Sequence, residues 1–164
     1  WAVWHIYQET KDKEFLKEMY PKLVAYHNWW YTNRDYNKNG IAEYGSMVSD
    51  AHWQKDDKDQ IIKDKNGQPK VDDDAVIEAA AWESGMDNAT RFDKEGVGKG
   101  DVGVKVFENK NKGKVVGYSI NQESVDLNAY LYAEKGYLAS IAEELGKKED
   151  YKNYQKEADR KSVV

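Results

Sequence analysis

The stretch VDLNAYLYAEKGYLASIAEELG, Val125 to Gly146, constrains the fold most. Leu127, Tyr130, Leu131, Leu138, Ile141, Ala142 and Leu145 recur at the helical period, and Gly146 stands where a C-cap glycine belongs. A helix this long with one apolar stripe needs a second apolar surface to bury it. Lys148 to Lys161 offers one, with Tyr151, Tyr154 and Ala158 on one face, and the short GKKE turn predicts an antiparallel helix hairpin. The N-terminal third repeats the theme. Trp1 to Gln8 reads as the end of a helix, and Asp12 as the N-cap of the next, with Phe15, Leu16 and Met19 on one face. Pro21 either kinks that helix or opens another at its first position, and Leu23, Tyr26, His27 and Trp30 carry the stripe onward. Asp72 to Asp74 cap a further helix through VIEAAAW, ending near Gly85. The chain is therefore expected to be mainly α, built of antiparallel helix pairs with long polar loops.

Between the helices lie polar segments. Asn33 to Gly45 reads as a polar loop. Residues 54 to 70, QKDDKDQIIKDKNGQPK, form a charged excursion with an Asn-Gly turn, either a small hairpin or a flexible loop. Residues 94 to 117 alternate in VGVKVF and VVGYSI, which predicts two short strands (a possible β-hairpin) or an extended loop. No repeat of fixed period and no low-complexity linker is evident, so the 164 residues are read as one segment with a real core. The chain opens inside an apolar pattern, WAVWHIY, and stops at KSVV, which predicts a piece of something longer.

Composition removes several classes. The net charge is −5 with acids and bases interspersed, so no basic stripe points to nucleic acid. No run of apolar residues is long enough to span a membrane, and no signal peptide is visible. The absence of cysteine excludes disulfides and thiolate metal sites. Six Trp and 12 Tyr against 3 Phe supply flat apolar faces with polar tips, which suit helix contacts or a polar ligand such as a sugar.

Two segments carry candidate chemistry. DYNKNGIAE places side-chain oxygens at Asp35, Asn37, Asn39 and Glu43, with Gly40 between. A hard cation such as Ca2+ needs about six to eight oxygens on a tight curve, and alternate residues of a looping chain point inward. The spacing follows the first half of an EF-hand loop: oxygens at the first, third and fifth positions, glycine at the sixth, and a carbonyl, that of Ile41, at the seventh. Ser46 stands at the twelfth position instead of glutamate, so a remote acid is required. The alternative is an Asn-Gly turn with solvated acids.

The second segment, WESGMDNATRFD, runs from Trp82 to Asp93. Glycoside hydrolysis needs a carboxylic acid to protonate the leaving oxygen and a second carboxylate on the opposite face. Asp87, just past a helix end and beside Met86 and Asn88, suits the acid. Trp82 and Trp53 offer faces for sugar stacking, and Arg91 offers donors for hydroxyls. The competing reading pairs Glu83 with Arg91 as a structural ion pair around the helix end. His52 before Trp53 divides between substrate contact and loop packing, and Asp50 is best read in Asx-turn service. His27 and His5 read as core histidines.

AAAWESGMDNATRFD resembles the catalytic-acid motif of the glucosidases and trehalases built on an (α/α)6 barrel. NQESVDLNAYLYAEKGYLASIAEELG resembles the helix that follows it, and DYNKNGIAEYG a calcium loop in the bacterial branch. Together they resemble glycoside hydrolase family 63. The resemblance implies part of an (α/α)6 barrel toroid and an inverting α-glucosidase acting on α-glucosyl di- and oligosaccharides. Asp87 is then the general acid, with Trp82, Glu83, Asn88 and Arg91 lining or supporting the sugar subsite. It implies Ca2+ at Asp35, Asn37, Asn39, the Ile41 carbonyl and Glu43, with Glu123, or else Gln122 or Asp126, as the remote acid. It also implies a periplasmic location. A complete barrel of this kind has about twice the helices that the periodicity predicts here, and the family's general base lies beyond Val164. The chain alone is therefore expected to be inactive and to need the remainder of the barrel or a fusion partner. The alternative is a non-catalytic, calcium-stabilised scaffold.

Overall fold

A computed structural model of the chain describes residues 1–93 and 103–160. Among them are five α-helices and a three-stranded antiparallel sheet: α1 (Ala2–Thr10), α2 (Lys13–Asn33), β1 (Glu43–Ser46), α3 (Asp73–Ser84), β2 (Val106–Asn111), β3 (Lys114–Glu123), α4 (Val125–Glu144) and α5 (Lys148–Arg160). The chain is mainly helical, as expected. The sheet is more than the hairpin that the alternation at 94–117 suggested, because β1 joins it from a distant part of the chain. The part of that stretch at 94–102 lies outside the described residues. Contacts divide the chain into two compact units, Trp1–Trp29 with Asn128–Val164, and Trp30–Leu127.

The first unit is helical. Asp12 caps α2 by accepting the amides of Glu14 and Phe15, each at 3.0 Å. Pro21 neither ends nor restarts the helix; α2 runs through it. Tyr7, Leu16, Tyr20, Leu138, Ile141 and Ala142 form the core, with Trp4, Leu23, Tyr151 and Tyr154 packed against it. Tyr7 and Tyr20 enter the core because their phenol tips find carboxylates. The Tyr7 hydroxyl donates to Glu144 at 2.7 Å, and Tyr20 to Asp150 at 2.8 Å. His27 is the core histidine expected, buried with Nδ1 at 2.6 Å from Glu134. His5 instead lies exposed between the rings of Trp1 and Tyr137. Tyr26 and Tyr130, placed in the apolar stripes by periodicity, are both exposed. Helix α4 ends in a Schellman motif, with Gly146 at φ 70° and the amides of Gly146 and Lys147 returning to the carbonyls of Glu143 and Ala142.

The second unit is built on the sheet, ordered β1-β3-β2. Lys112 and Gly113, at φ 49° and 78°, make the two-residue turn between β2 and β3. All four residues of β1 are buried, so the segment read as a polar loop is half core. Gly45 pairs with Ser119, and a Cβ there would stand 1.8 Å from the Tyr118 carbonyl oxygen. Asp72 caps α3 by accepting the amides of Asp74 and Ala75, and Gly85 ends it at φ 70°.

The 54–70 excursion makes two successive turns, bridged between Lys55 and Ile61 and between Lys63 and Pro69, and contains a repeat that composition hid. KDDKDQ from Lys55 and KDKNGQ from Lys63 are eight residues apart. In each, the aspartate side chain accepts the amides two and four residues on: Asp56 from Lys58 and Gln60, and Asp64 from Asn66 and Gln68. Each also closes with a backbone bond, Asp56 to Gln60 at 2.9 Å and Asp64 to Gln68 at 2.8 Å.

Two glycines of opposite surroundings test this packing. Gly45→Ala is expected to destabilise the protein by about 3 kcal/mol or more, because the added methyl meets backbone that cannot move aside. Gly136→Ala, in α4 with nothing within 4 Å of the new Cβ, is expected to stabilise by about 0.5–1 kcal/mol. Denaturant unfolding of the two variants checks both signs.

Candidate active site and oxygen-rich loop

The centre of the second unit is an ion pair between a buried arginine and a partly buried glutamate. Arg34 is 1% exposed, and its Nη2 and Nε reach Glu83 Oε1 and Oε2 at 2.7 and 2.9 Å. Its Nη1 donates to the Asn33 carbonyl at 2.9 Å. The other demand on Glu83 comes from the Gly45 amide, which donates to Oε2 at 2.8 Å. A guanidinium suits this place because its planar fork meets both carboxylate oxygens. Gly117 on β3 leaves the room: a Cβ there would lie 2.8 Å from Arg34 Nη1.

Glu83 thus does not pair with Arg91, as the reading of an ion pair around the helix end had it. Arg91 turns to Asp126, with Nη1 and Nη2 at 3.4 and 3.5 Å. Its guanidinium lies against the rings of Phe92 and Tyr44, 4.9 and 5.7 Å from their centroids. The Tyr44 hydroxyl also donates to Asp126, at 3.2 Å, and the Gln122 side chain donates to the Arg91 carbonyl. Burial, then the charge of Asp126, pushes the Tyr44 phenol up to about 12, so it remains a donor. For Asp126, burial acts upward, but Arg91, the Leu127 amide and Tyr44 outweigh it and hold the carboxyl below its ordinary range.

Asp87 lies between these two ion pairs along the chain. It is exposed, two residues past the Gly85 cap, on a turn in which Met86 N–H donates to Ser84 Oγ and Ala89 N–H to the Met86 carbonyl. With Trp82, Asn88 and Ala89 it borders an open groove of about 530 Å³. Trp82 is 63% exposed, so one face is free for stacking. Asp74, Glu78 and Asp93 also line the groove, and no lysine or arginine does so among the described residues. Trp53 is half-buried and bridges to Val71, and His52 has Nδ1 at 2.8 Å from the Met47 carbonyl. Neither borders that groove. Ser49, not Asp50, supplies the local turn, its hydroxyl accepting the Ala51 amide.

The Asp35 loop closes on itself. Asp35 accepts the amides of Asn39 and Gly40 at 3.1 and 2.9 Å, and Asn39 Oδ1 accepts that of Ile41 at 2.8 Å. The loop's two ends meet where the Glu43 amide donates to the Arg34 carbonyl at 2.7 Å. Asn109, which the sequence reading passed over, holds the loop to the sheet: fully buried, it accepts the Asp35 amide at 3.0 Å and donates to Ser119 at 2.8 Å. Only its inward place in β2 singles it out, which no local motif encodes.

Glu43 is fully buried, and neither carboxylate oxygen makes a hydrogen bond among the described residues. Burial first, then the charge of Asp35, pushes its carboxyl up to about 8; Glu123 adds to this, while the Tyr36 amide and the Ser119 hydroxyl oppose it. Glu43 and Glu123 face each other in the β1–β3 register, and Asn39 donates to Glu123. Of the alternatives for a remote acid, Gln122 and Asp126 are engaged with Arg91. A buried carboxylate that makes no full hydrogen bond among the described residues, and that Asp35 and Glu123 repel, is a group whose charge a hard cation would compensate. Among the described residues, however, no three Asp, Glu, His or Cys side chains stand gathered at metal-binding spacing. The fit depends on amide and carbonyl oxygens of the loop as well.

Comparison with known families places the chain among the glycoside hydrolases. A family model for the mannosylglycerate hydrolase MGH1-like glycoside hydrolase domain matches residues 1–162, and the chain belongs to that family.

The Asp126 cluster carries a pH dependence. A carboxylate whose folded pKa is depressed contributes stability above its ordinary value and loses it on acidification. The stability difference between the wild type and Asp126→Asn is expected to be largest above pH 3.8 and to shrink as pH falls through the lowered pKa of Asp126. Denaturant unfolding of both proteins from pH 6 to about 2.5 reads this directly.

Proposed function

We propose that the chain carries the acid half of an inverting α-glucosidase site, with Asp87 as the general acid. The observation that carries this reading is the exposed Asp87 on a groove shared with Trp82 and Asn88, on a segment whose two ends are fixed by Arg34–Glu83 and Arg91–Asp126. The likeness of WESGMDNATRFD to the acid motif of glycoside hydrolase family 63 supports it, and with that family come a partial (α/α)6 barrel and a periplasmic location. Asp87 would give its proton to the glycosidic oxygen while water attacks the anomeric carbon from the opposite face. The base for that water, about 6.5–9.5 Å from the acid, would come from outside this chain. Trp82 and Asn88 would touch the sugar; Glu83 and Arg91, already engaged, would hold the loop. His52 and Trp53 would shape the neighbouring loop.

The charge of the groove bears on the substrate. The family's name denotes a mannoside of glycerate, whose carboxylate would be repelled by Glu78 and Asp93. A neutral α-glucosyl di- or oligosaccharide avoids that repulsion. Hydrolysis of α-glucosyl disaccharides by the complete polypeptide carrying this chain is expected to release the β-anomer, with Asp87→Asn lowering kcat by about 10²–10⁴-fold. Release of the α-anomer, or full activity in Asp87→Asn, would overturn the assignment. Turnover by residues 1–164 alone would overturn the placement of the base.

We also propose Ca2+ in the Asp35 loop, held by Asp35, Asn37, Asn39, the Ile41 carbonyl, Glu43 and Glu123. The ion would supply the positive charge that buried Glu43 lacks and fix the loop against the sheet. In free calcium at 100 times the dissociation constant, the chain is expected to gain about 2.7 kcal/mol of stability. Chelator should remove that gain and Asp35→Ala should abolish it; thermal melts unchanged by calcium and chelator would refute the site. A calcium response without turnover in the complete polypeptide would favour the scaffold alternative.

A further inference from the structure

The oxygen-rich loop and the acid loop begin at opposite ends of one ion pair. Arg34 immediately precedes Asp35, and Glu83 lies four residues before Asp87. We infer that Arg34 is a positioning residue for Asp87: acting through Glu83 and β1, it makes the order of the Asp35 loop set the order of the acid loop. This inference rests on the proposed roles of Asp87 and calcium.

The connection is continuous. The Arg34 carbonyl accepts the Glu43 amide and so closes the Asp35 loop. The Arg34 guanidinium takes both oxygens of Glu83. Glu83 in turn accepts the amide of Gly45, two residues after Glu43. The backbone from Glu83 enters the Ser84–Gly85 cap, where Ser84 Oγ accepts the Met86 amide next to Asp87. The far end of the acid loop is held by Arg91 on Asp126 and Gln122 on the Arg91 carbonyl, and reaches β1 and the Asp35 loop by a second route, through Tyr44 on Asp126 and Asn39 on Glu123. The Arg34–Glu83 pair is the route to the near end, where Met86 and Asp87 lie. A lysine at position 34 would keep the charge but not the two-pronged contact, and would leave Glu83 free to turn.

The test uses residues 1–164 with and without calcium chloride, following amide hydrogen exchange. In the wild type, calcium is expected to slow exchange at Gly45, Met86 and Ala89 by about tenfold or more. In Arg34→Lys, calorimetry should still detect calcium, while exchange at those amides rises about ten- to a hundredfold and stops responding to the ion. Val76 in α3 and Ile120 in β3, whose exchange follows unfolding of the whole unit, should speed up in Arg34→Lys by a smaller, common factor and keep their response to calcium. Glu83→Asp, which keeps the charge and shortens the reach, is expected to reproduce the effect if Arg34→Lys does not fold. Calcium binding to the wild type with no change at the three amides would overturn the coupling and leave the calcium site standing. Uniformly faster exchange in the folded variants, Val76 and Ile120 included, would reduce Arg34 to a structural residue and overturn it as well. Failure of the wild type to bind calcium would overturn the calcium site and the coupling together.

Discussion

The second unit depends on the burial of one guanidinium. Arg34 is removed from water almost completely, which is tolerable only because Glu83 and the Asn33 carbonyl meet its donors. That requirement reaches into three elements. It fixes the rotation of α3 by demanding Glu83 on its inner face, the identity of Gly117 on β3 by demanding room, and the position of β1 through the Gly45 amide. A glutamate that looks like an active-site carboxylate in the sequence is thereby a strut, and Asp87, which we propose as the acid, is four residues away.

The two units solve the burial of polar groups differently. In the first, tyrosine tips and a histidine end on carboxylates supplied by α4 and α5, so an aromatic-rich sequence packs helices without leaving phenols unsatisfied. In the second, Asn109 performs that service for a loop amide, and the Glu43 carboxylate makes no full hydrogen bond among the described residues. The contrast sets phenol tips paired with carboxylates against a buried carboxylate that is poorly met. That shortfall is what supports a cation there, more than the spacing of the loop oxygens alone.

Helix boundaries were legible because they are local. Asp12 and Asp72 cap as their types dictate, and Gly85 and Gly146 end helices at positive φ, since these signals act within a turn of the chain. The spacing of DYNKNGIAE reads as inward oxygens for a cation or as a turn with solvated acids; Asp35 is instead buried, with its carboxylate taking the amides of Asn39 and Gly40. Exposure was less legible: Tyr26 and Tyr130 fit their helical stripes but face solvent, because periodicity gives an angle around the axis and says nothing of how far the packed surface extends. The third strand was missed for a related reason. EYGS is too short to show alternation, and its burial comes from β3, more than seventy residues on.

The sequence by itself determined a mainly helical chain with two oxygen-bearing loops, and its motifs pointed to the glycoside hydrolases, to which the family match assigns it. The tertiary structure alone decided which charges meet. Glu83 and Arg91 are eight residues apart in the chain, yet they are held by Arg34 and Asp126. Ion-pair choice inside a protein is set by which partners share a desolvated space, and chain proximity carries little weight against the cost of leaving a buried guanidinium unmet.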